Sequence, residues 1–102
     1  MKANINQALK AIAEPRRLEI LRLLRDEGDM SVTDVGKRIE VTQQAASLHL
    51  KVLEEAGLVE ARRVGTRHLY AVKPEGFRPV QAFVAEFWTD HLARLKGDLE
   101  SR

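Results

Sequence analysis

Between Thr42 and Lys51 the chain reads "TQQAASLHLK". At about 100° per residue, Gln43, Gln44, Ser47 and Lys51 fall on one side of a helix, with Leu48 at the border. Ala45, Ala46, His49, Leu50, Val52, Leu53 and Ala56 fall on the other. The polar side offers hydrogen bonding without charge. A glutamine amide can pair with both edge groups of adenine, serine can donate or accept, and leucine can touch a thymine methyl. Thr42 and the first N–H groups of such a helix suit a phosphate. Glu54 and Glu55 continue the polar side, so an anion would meet only the N-terminal half. A second run, Ala61 to Lys73, holds Arg62, Arg63, Arg67, Lys73 and His68, with Thr66 among them and no acid. Clustered guanidinium groups neutralise phosphates. Two plainer readings stand beside these: an exposed helix face is polar without a partner, and arginines guard a solvated edge strand.

Other chemistries find little support. The chain has no cysteine, which excludes disulfides, thiolate metal sites and thiol redox sensing. His49 lies on the apolar side of its helix, as a core histidine bonded through one ring nitrogen would. His68 lies in the basic run, and His91 is distant in sequence. A zinc site needs three or four ligands held together, so no metal site and no cofactor are expected. No glycine-rich phosphate loop or convincing histidine–carboxylate pair is present, which argues against an enzyme.

The elements that must position these groups are legible in the spacing. Ile5, Leu9 and Ile12 predict a short amphipathic helix over residues 4–13. Pro15 suits the first turn of a second helix ending near Gly28, which Leu18, Ile20, Leu21, Leu23 and Leu24 make central and buried. Arg16 and Arg17 stand at its start, where the helix dipole disfavours cations. Ser31 caps a third helix, roughly Val32–Glu40, with Asp34 as reciprocal partner. Thr42 caps a fourth, Gln43–Ala56, and Gly57 closes it in a left-handed turn. Two short helices with so tight a connection form a helix-turn-helix. Glu40 sits in that connection, and Gly36 lets the two helices approach. "LVEARR" and "RHLYAV" then predict a hairpin, with Gly65 in a three-residue bulged loop. From about Arg78 to Glu100, Val80, Phe83, Val84, Phe87, Trp88, Leu92, Leu95 and Leu99 make one wide apolar stripe. That helix would be ~33 Å long, more than so small a domain can cover with its own core.

Length and composition bound the rest. A chain of 102 residues with 44% apolar and 31% charged residues is read as one domain, 1–102. Within it, residues 31–57 are the helix-turn-helix, 58–73 the hairpin and 77–100 the last helix. No uncharged run approaches the roughly 18 residues of a bilayer span, and the N-terminus lacks a secretory pattern. A cytoplasmic protein with no membrane partner is expected. The fold class is mainly α with a small β-hairpin, about five helices arranged as a winged helix-turn-helix.

Several stretches together resemble the ArsR/SmtB family of winged-helix transcriptional repressors. "AIAEPRRLEILRLL" is similar to the family's opening turn and leucine-rich helix. "VTQQAASLHLKVLEEAGLVEARRVGTRHLYAV" resembles its recognition helix and wing, with the Ser-x-His-Leu core and the "LEEAGLV" exit. "FVAEFWTDHLARLKGDLE" is similar to the last helix of a cysteine-poor branch. The resemblance implies a homodimeric repressor that binds double-stranded operator DNA, an inverted repeat, through Thr42, Gln43, Gln44, Ser47, Leu48, Lys51, Arg62, Arg63, Thr66 and Arg67. It implies dimerisation through the first and last helices, with Ile5, Leu9, Phe83, Phe87, Trp88, Leu92 and Leu95 at the interface. Metal-sensing members carry Cys-Val-Cys-Asp at the third helix. Here "DMSVTDV" puts Ser31 and Thr33 at the thiolate positions, and neutral hydroxyls are poor ligands for soft metals. The Asp-x-His pair of other members is reduced to the adjacent Asp90 and His91, so no effector is implied. The alternative is a winged-helix protein-interaction module without specific DNA binding.

Overall fold

Four of the helices begin on a side chain that accepts from their own first turn, and these caps set the element boundaries. A computed structural model describes residues 4–100; the outermost residues of the 1–102 domain reading lie outside the described residues. Helix α1 (Ile5–Ile12) starts where Asn4 accepts from the Gln7 N–H at 2.8 Å. Helix α2 (Pro15–Glu27) starts where the Glu14 carboxylate accepts from the Arg17 N–H at 2.8 Å, with Pro15 in the first turn. Ser31 accepts from the Asp34 N–H at 3.2 Å to open α3 (Val32–Arg38). Thr42 accepts from the Ala45 N–H at 3.0 Å to open α4 (Gln43–Glu55). Each such cap satisfies a helix N–H that would otherwise be orphaned.

Only half of the expected capping box at α3 forms. The Asp34 carboxylate turns toward Arg67, 3.7 Å away. Aspartate is a methylene shorter than the glutamate that normally reaches back, so the ion pair wins. Arg16 and Arg17 avoid the dipole penalty at α2 by turning to the ends of other helices. Arg17 donates to the carbonyls of Ala11 (2.6 Å) and Lys10 (3.3 Å) at the end of α1, and Arg16 to Ile39 (3.2 Å) at the end of α3. Cations at helix C-termini are favourable, so both charges complement a neighbour's dipole.

The core lies between α2, α3 and α4, with Ile20, Leu24, Val35, Ile39, Ala46, Leu50 and Leu53 buried, and Ala8 and Ala11 of α1 closing one side. The expected tight approach of α3 to α4 is seen: a Cβ on buried Gly36 would lie 3.2 Å from the Val41 carbonyl and 3.5 Å from the Ala46 side chain. Glu40 turns the chain with φ 59°, the left-handed value that disfavours a side chain.

Leu58 and Val59 carry the core into the hairpin, β1 (Val59–Val64) and β2 (Arg67–Val72). The strands pair antiparallel from Val59 opposite Val72 to Val64 opposite Arg67. The loop is therefore Gly65-Thr66 alone, not the bulged three-residue loop expected. Val64 stays in the ladder, and only Gly65 needs positive φ, 63°, as in the two-residue turns with glycine first. Met30 exchanges both backbone bonds with Tyr70, at 3.0 and 2.8 Å, and adds a one-residue third strand. A 3₁₀ turn (Pro74–Phe77) leads into α5 (Arg78–Glu100), so the last helix starts one residue after Phe77. No residue of α5 is buried.

Candidate nucleic-acid interface

Helix α4 crosses the core with Ala46, Leu50 and Leu53 inward, which fixes what it presents outward. Gln43, Gln44, Ser47, Leu48 and Lys51 are all exposed along the first three turns, and Thr42 is exposed at the cap. The Thr42 hydroxyl accepts from Ala45 and keeps its own proton for a further acceptor. Leu48 is no border residue. At 66% exposure it stands among the amides on the outward face. Val52, expected on the buried side, is also exposed, because Leu50, Leu53 and Ala56 already fill the space below the helix.

His49 is not a core residue. Its side chain is half-buried at the edge of α4, with Nδ1 3.4 Å from an Arg17 guanidinium nitrogen and 3.9 Å from the Glu14 carboxylate. The same arginine that closes α1 therefore also touches α4. Neither contact could be read from the sequence, because His49 on α4 meets the start of α2, more than thirty residues earlier in the chain.

The wing carries Arg62 and Arg63 on β1, Thr66 in the loop and Arg67 on β2, all exposed. The acid-free run does not stay acid-free in space. Arg62 is bonded to Glu60 at 2.7 Å and lies 3.8 Å from Asp29. The hydrogen bond to Glu60, then the charges of Glu60 and Asp29, raise the Arg62 pKa further above its ordinary value. Arg67 faces Asp34 at 3.7 Å. Arg63 projects from the opposite face of β1 and donates to Nε2 of the cross-strand His68 at 3.0 Å. Two of the three wing arginines thus sit beside carboxylates of their own chain. These pairs are solvent-exposed and weak, so a phosphate can compete with them.

The second set of candidate residues lies on α1 and α5. On α5, Phe83, Phe87, Trp88, Leu92 and Leu95 are exposed, as are Val84 and Leu99. Leu9 of α1 is exposed and Ile5 half-buried. Phe83 and Phe87 meet edge to face at 5.1 Å, and Trp88 does the same with His91 at 6.1 Å. Among the described residues no group of three or more His, Asp or Glu side chains could hold a metal ion. Ser31, at a thiolate position of the metal-sensing relatives, is engaged as the α3 cap.

A helix-turn-helix whose second helix is outward-facing and polar, followed by an arginine-bearing hairpin, defines a winged helix-turn-helix DNA-binding domain. The comparisons with known proteins agree. A family model described as a helix-turn-helix domain matches residues 12–62. A transcriptional regulator of Methanocaldococcus jannaschii is 34% identical over 80 residues, covering 78% of this chain and 90% of the relative. The arsenical resistance operon repressor of Bacillus subtilis is 39% identical over 69 residues, covering 68% of this chain and 66% of the relative. A homodimeric winged helix-turn-helix domain from Mycobacterium bovis, a possible ArsR-family regulator, superposes with a TM-score of 0.67. It is 35% identical, covering 88% of this chain and 82% of that one. The chain belongs to the ArsR/SmtB family of winged helix-turn-helix transcriptional regulators. That is a family of regulators rather than enzymes, and no described helix is long and apolar enough to cross a membrane.

Proposed function

We propose that two copies of the chain join through α1 and α5 and repress transcription from an inverted-repeat operator in the cytoplasm. Gln43, Gln44, Ser47 and Leu48 enter the major groove and read bases. Thr42 and Lys51 position the helix on phosphates, and Arg62, Arg63, Thr66 and Arg67 hold the flanking backbone or minor groove. The two recognition helices meet successive major grooves, so half-site centres lie about 34 Å apart. The observation that carries this reading is the outward face of α4. Its N-terminal half presents uncharged hydrogen-bonding groups to solvent, with the wing's cations on the neighbouring element. Thiolate metal sensing is absent from the proposal, because the family's cysteine positions hold Ser31 and Thr33.

The test is a mobility shift with the upstream DNA of the protein's own gene, followed by footprinting. Two protected half-sites one helical turn apart, surviving excess random duplex, are expected. Retention of random and upstream duplex with equal strength would instead favour the protein-interaction module.

A further inference from the structure

The outward face of α4 contains one feature that hydrogen-bonding side chains do not explain. Leu48 is 66% exposed and Val52 38% exposed, four residues apart and so on successive turns of the same side. They form an apolar ledge beside Gln44, Ser47 and Lys51, all exposed. With the described residues in place, Leu48 stays mostly open to solvent and Val52 partly so. Scattered apolar residues are ordinary on a surface, but these two lie one turn apart on the helix that carries the exposed Gln43, Gln44 and Ser47. Resting on the DNA-binding reading above, we infer that Leu48 and Val52 recognise the C5-methyl group of thymine, making α4 select a thymine at a fixed place in each half-site.

The chemistry favours this occupant. In the major groove the thymine methyl is the one apolar group a base pair presents, and it lies beside acceptors that amides and hydroxyls read. An apolar strip flanked by two amide- or hydroxyl-bearing residues and a cation matches that surface. An apolar protein groove would leave Gln44, Ser47 and Lys51 desolvated without partners, at a cost in affinity. Leu48 stands one turn beyond Gln44 and nearly one turn before Lys51, the region between the bases read by the helix start and the backbone. Val52 lies one turn further on. It extends the ledge and shields the Leu48 contact from water. The outcome is a preference for thymine over uracil that no hydrogen bond carries.

The experiment separates this inference from the reading it rests on. The full-length protein first selects its preferred duplex from a random-sequence library. Each thymine in the selected half-site is then replaced by deoxyuracil, which keeps its pairing and loses only the methyl. One thymine, or two neighbouring ones, should show a loss of about fourfold per half-site, the worth of one buried methyl-sized group. Leu48→Ala should bind the thymine and uracil duplexes equally. Leu48→Met, which keeps an apolar side chain of similar reach, should retain most of the discrimination, and Val52→Ala should reduce it. Circular dichroism reports that each variant folds, as expected for substitutions at exposed positions. Uracil tolerated at every thymine of a selected duplex would overturn the inference and leave operator binding intact. Undiminished discrimination in Leu48→Ala would do the same. If no sequence is enriched at all, the operator reading falls and takes this inference with it.

Discussion

In the proposed DNA complex, Asp34 sets how readily Arg67 can hold a phosphate. The pair is 3.7 Å apart and both side chains are at least half exposed, so its worth is only ~0.2–1 kcal/mol. A phosphate must still displace it. Removing the carboxylate in Asp34→Asn should therefore tighten binding to any duplex, by no more than about fivefold per protomer. The α3 cap survives this change, because Ser31 accepts from the backbone N–H of residue 34. Arg67→Ala should weaken binding to all sequences and flatten the plot of log affinity against log salt by about 0.9 per arginine. Titrations at several salt concentrations measure both, and an unchanged slope in Arg67→Ala would remove that residue from the phosphate contacts. Tyr70 gives a pH dependence of known sign. Burial first, and the Glu54 charge second, raise its phenol above the ordinary value near 10. A raised folded pKa contributes stability that is complete below the unfolded value and is lost as pH rises through the folded one. The urea midpoint should therefore fall in alkaline solution above about pH 10, and less so in Tyr70→Phe. Equal falls in the two proteins would contradict that account.

Among the elements, the turns carry the clearest constraints. Glu40 links α3 to α4 at φ 59°, a conformation that costs a residue with a side chain roughly 1 kcal/mol or more. Glu40→Gly should raise the thermal midpoint modestly while leaving DNA affinity alone, and a lowered midpoint would show that Glu40 is held by more than its backbone. Gly76 is the opposite case. A Cβ there would run into the Gly57 carbonyl, so Gly76→Ala must push the 3₁₀ turn off the end of α4 and should lower stability by about 1–3 kcal/mol. How much of this was legible in the sequence follows from the range of each signal. Thr42, Ser31 and Gly57 act within three or four residues, and they placed α3, α4 and the turn after it to within about two residues. The exposed stripe of α5 was equally plain, because helical periodicity is local. What escaped depends on contacts between distant elements. Arg16 and Arg17 cap α3 and α1, Asp29 and Asp34 approach the wing arginines, and His49 leans on Arg17. Val52 escaped for a related reason. A 100° projection cannot say how far round a helix the neighbouring elements reach, and here they stop at Ala45, Ala56 and His49.

A lone protomer of this chain is an unusual shape for its size. Its radius of gyration is 17.6 Å, against roughly 13 Å for a compact domain of 100 residues, and it measures 64 × 29 × 22 Å. The excess length goes with α5, whose 23 residues include none that are buried. Leaving Phe83, Val84, Phe87, Trp88, Leu92, Leu95 and Leu99 in water forfeits burial worth about 25 cal/mol for each Å² of apolar surface. A second copy packed along the same helix would recover it, which is the physical basis for the proposed dimer. In the proposed complex dimerisation also governs DNA binding, since joining two half-site readers makes the second contact intramolecular. Phe87→Glu should therefore convert a dimer at micromolar concentration into a monomer, read by sedimentation equilibrium, and shift Trp88 emission to the red as its indole becomes wet. The same variant should lose affinity for a two-half-site duplex far more than for a single half-site. Phe87 is 63% exposed in the protomer and the core of α2, α3 and α4 does not include it, so secondary structure should persist. Leu95→Glu, two turns further along, provides an independent case with the same expected result. A Phe87→Glu protein that still sediments as a dimer would move the interface off this face of α5. A monomeric one that holds the two-half-site duplex as tightly as before would uncouple assembly from recognition.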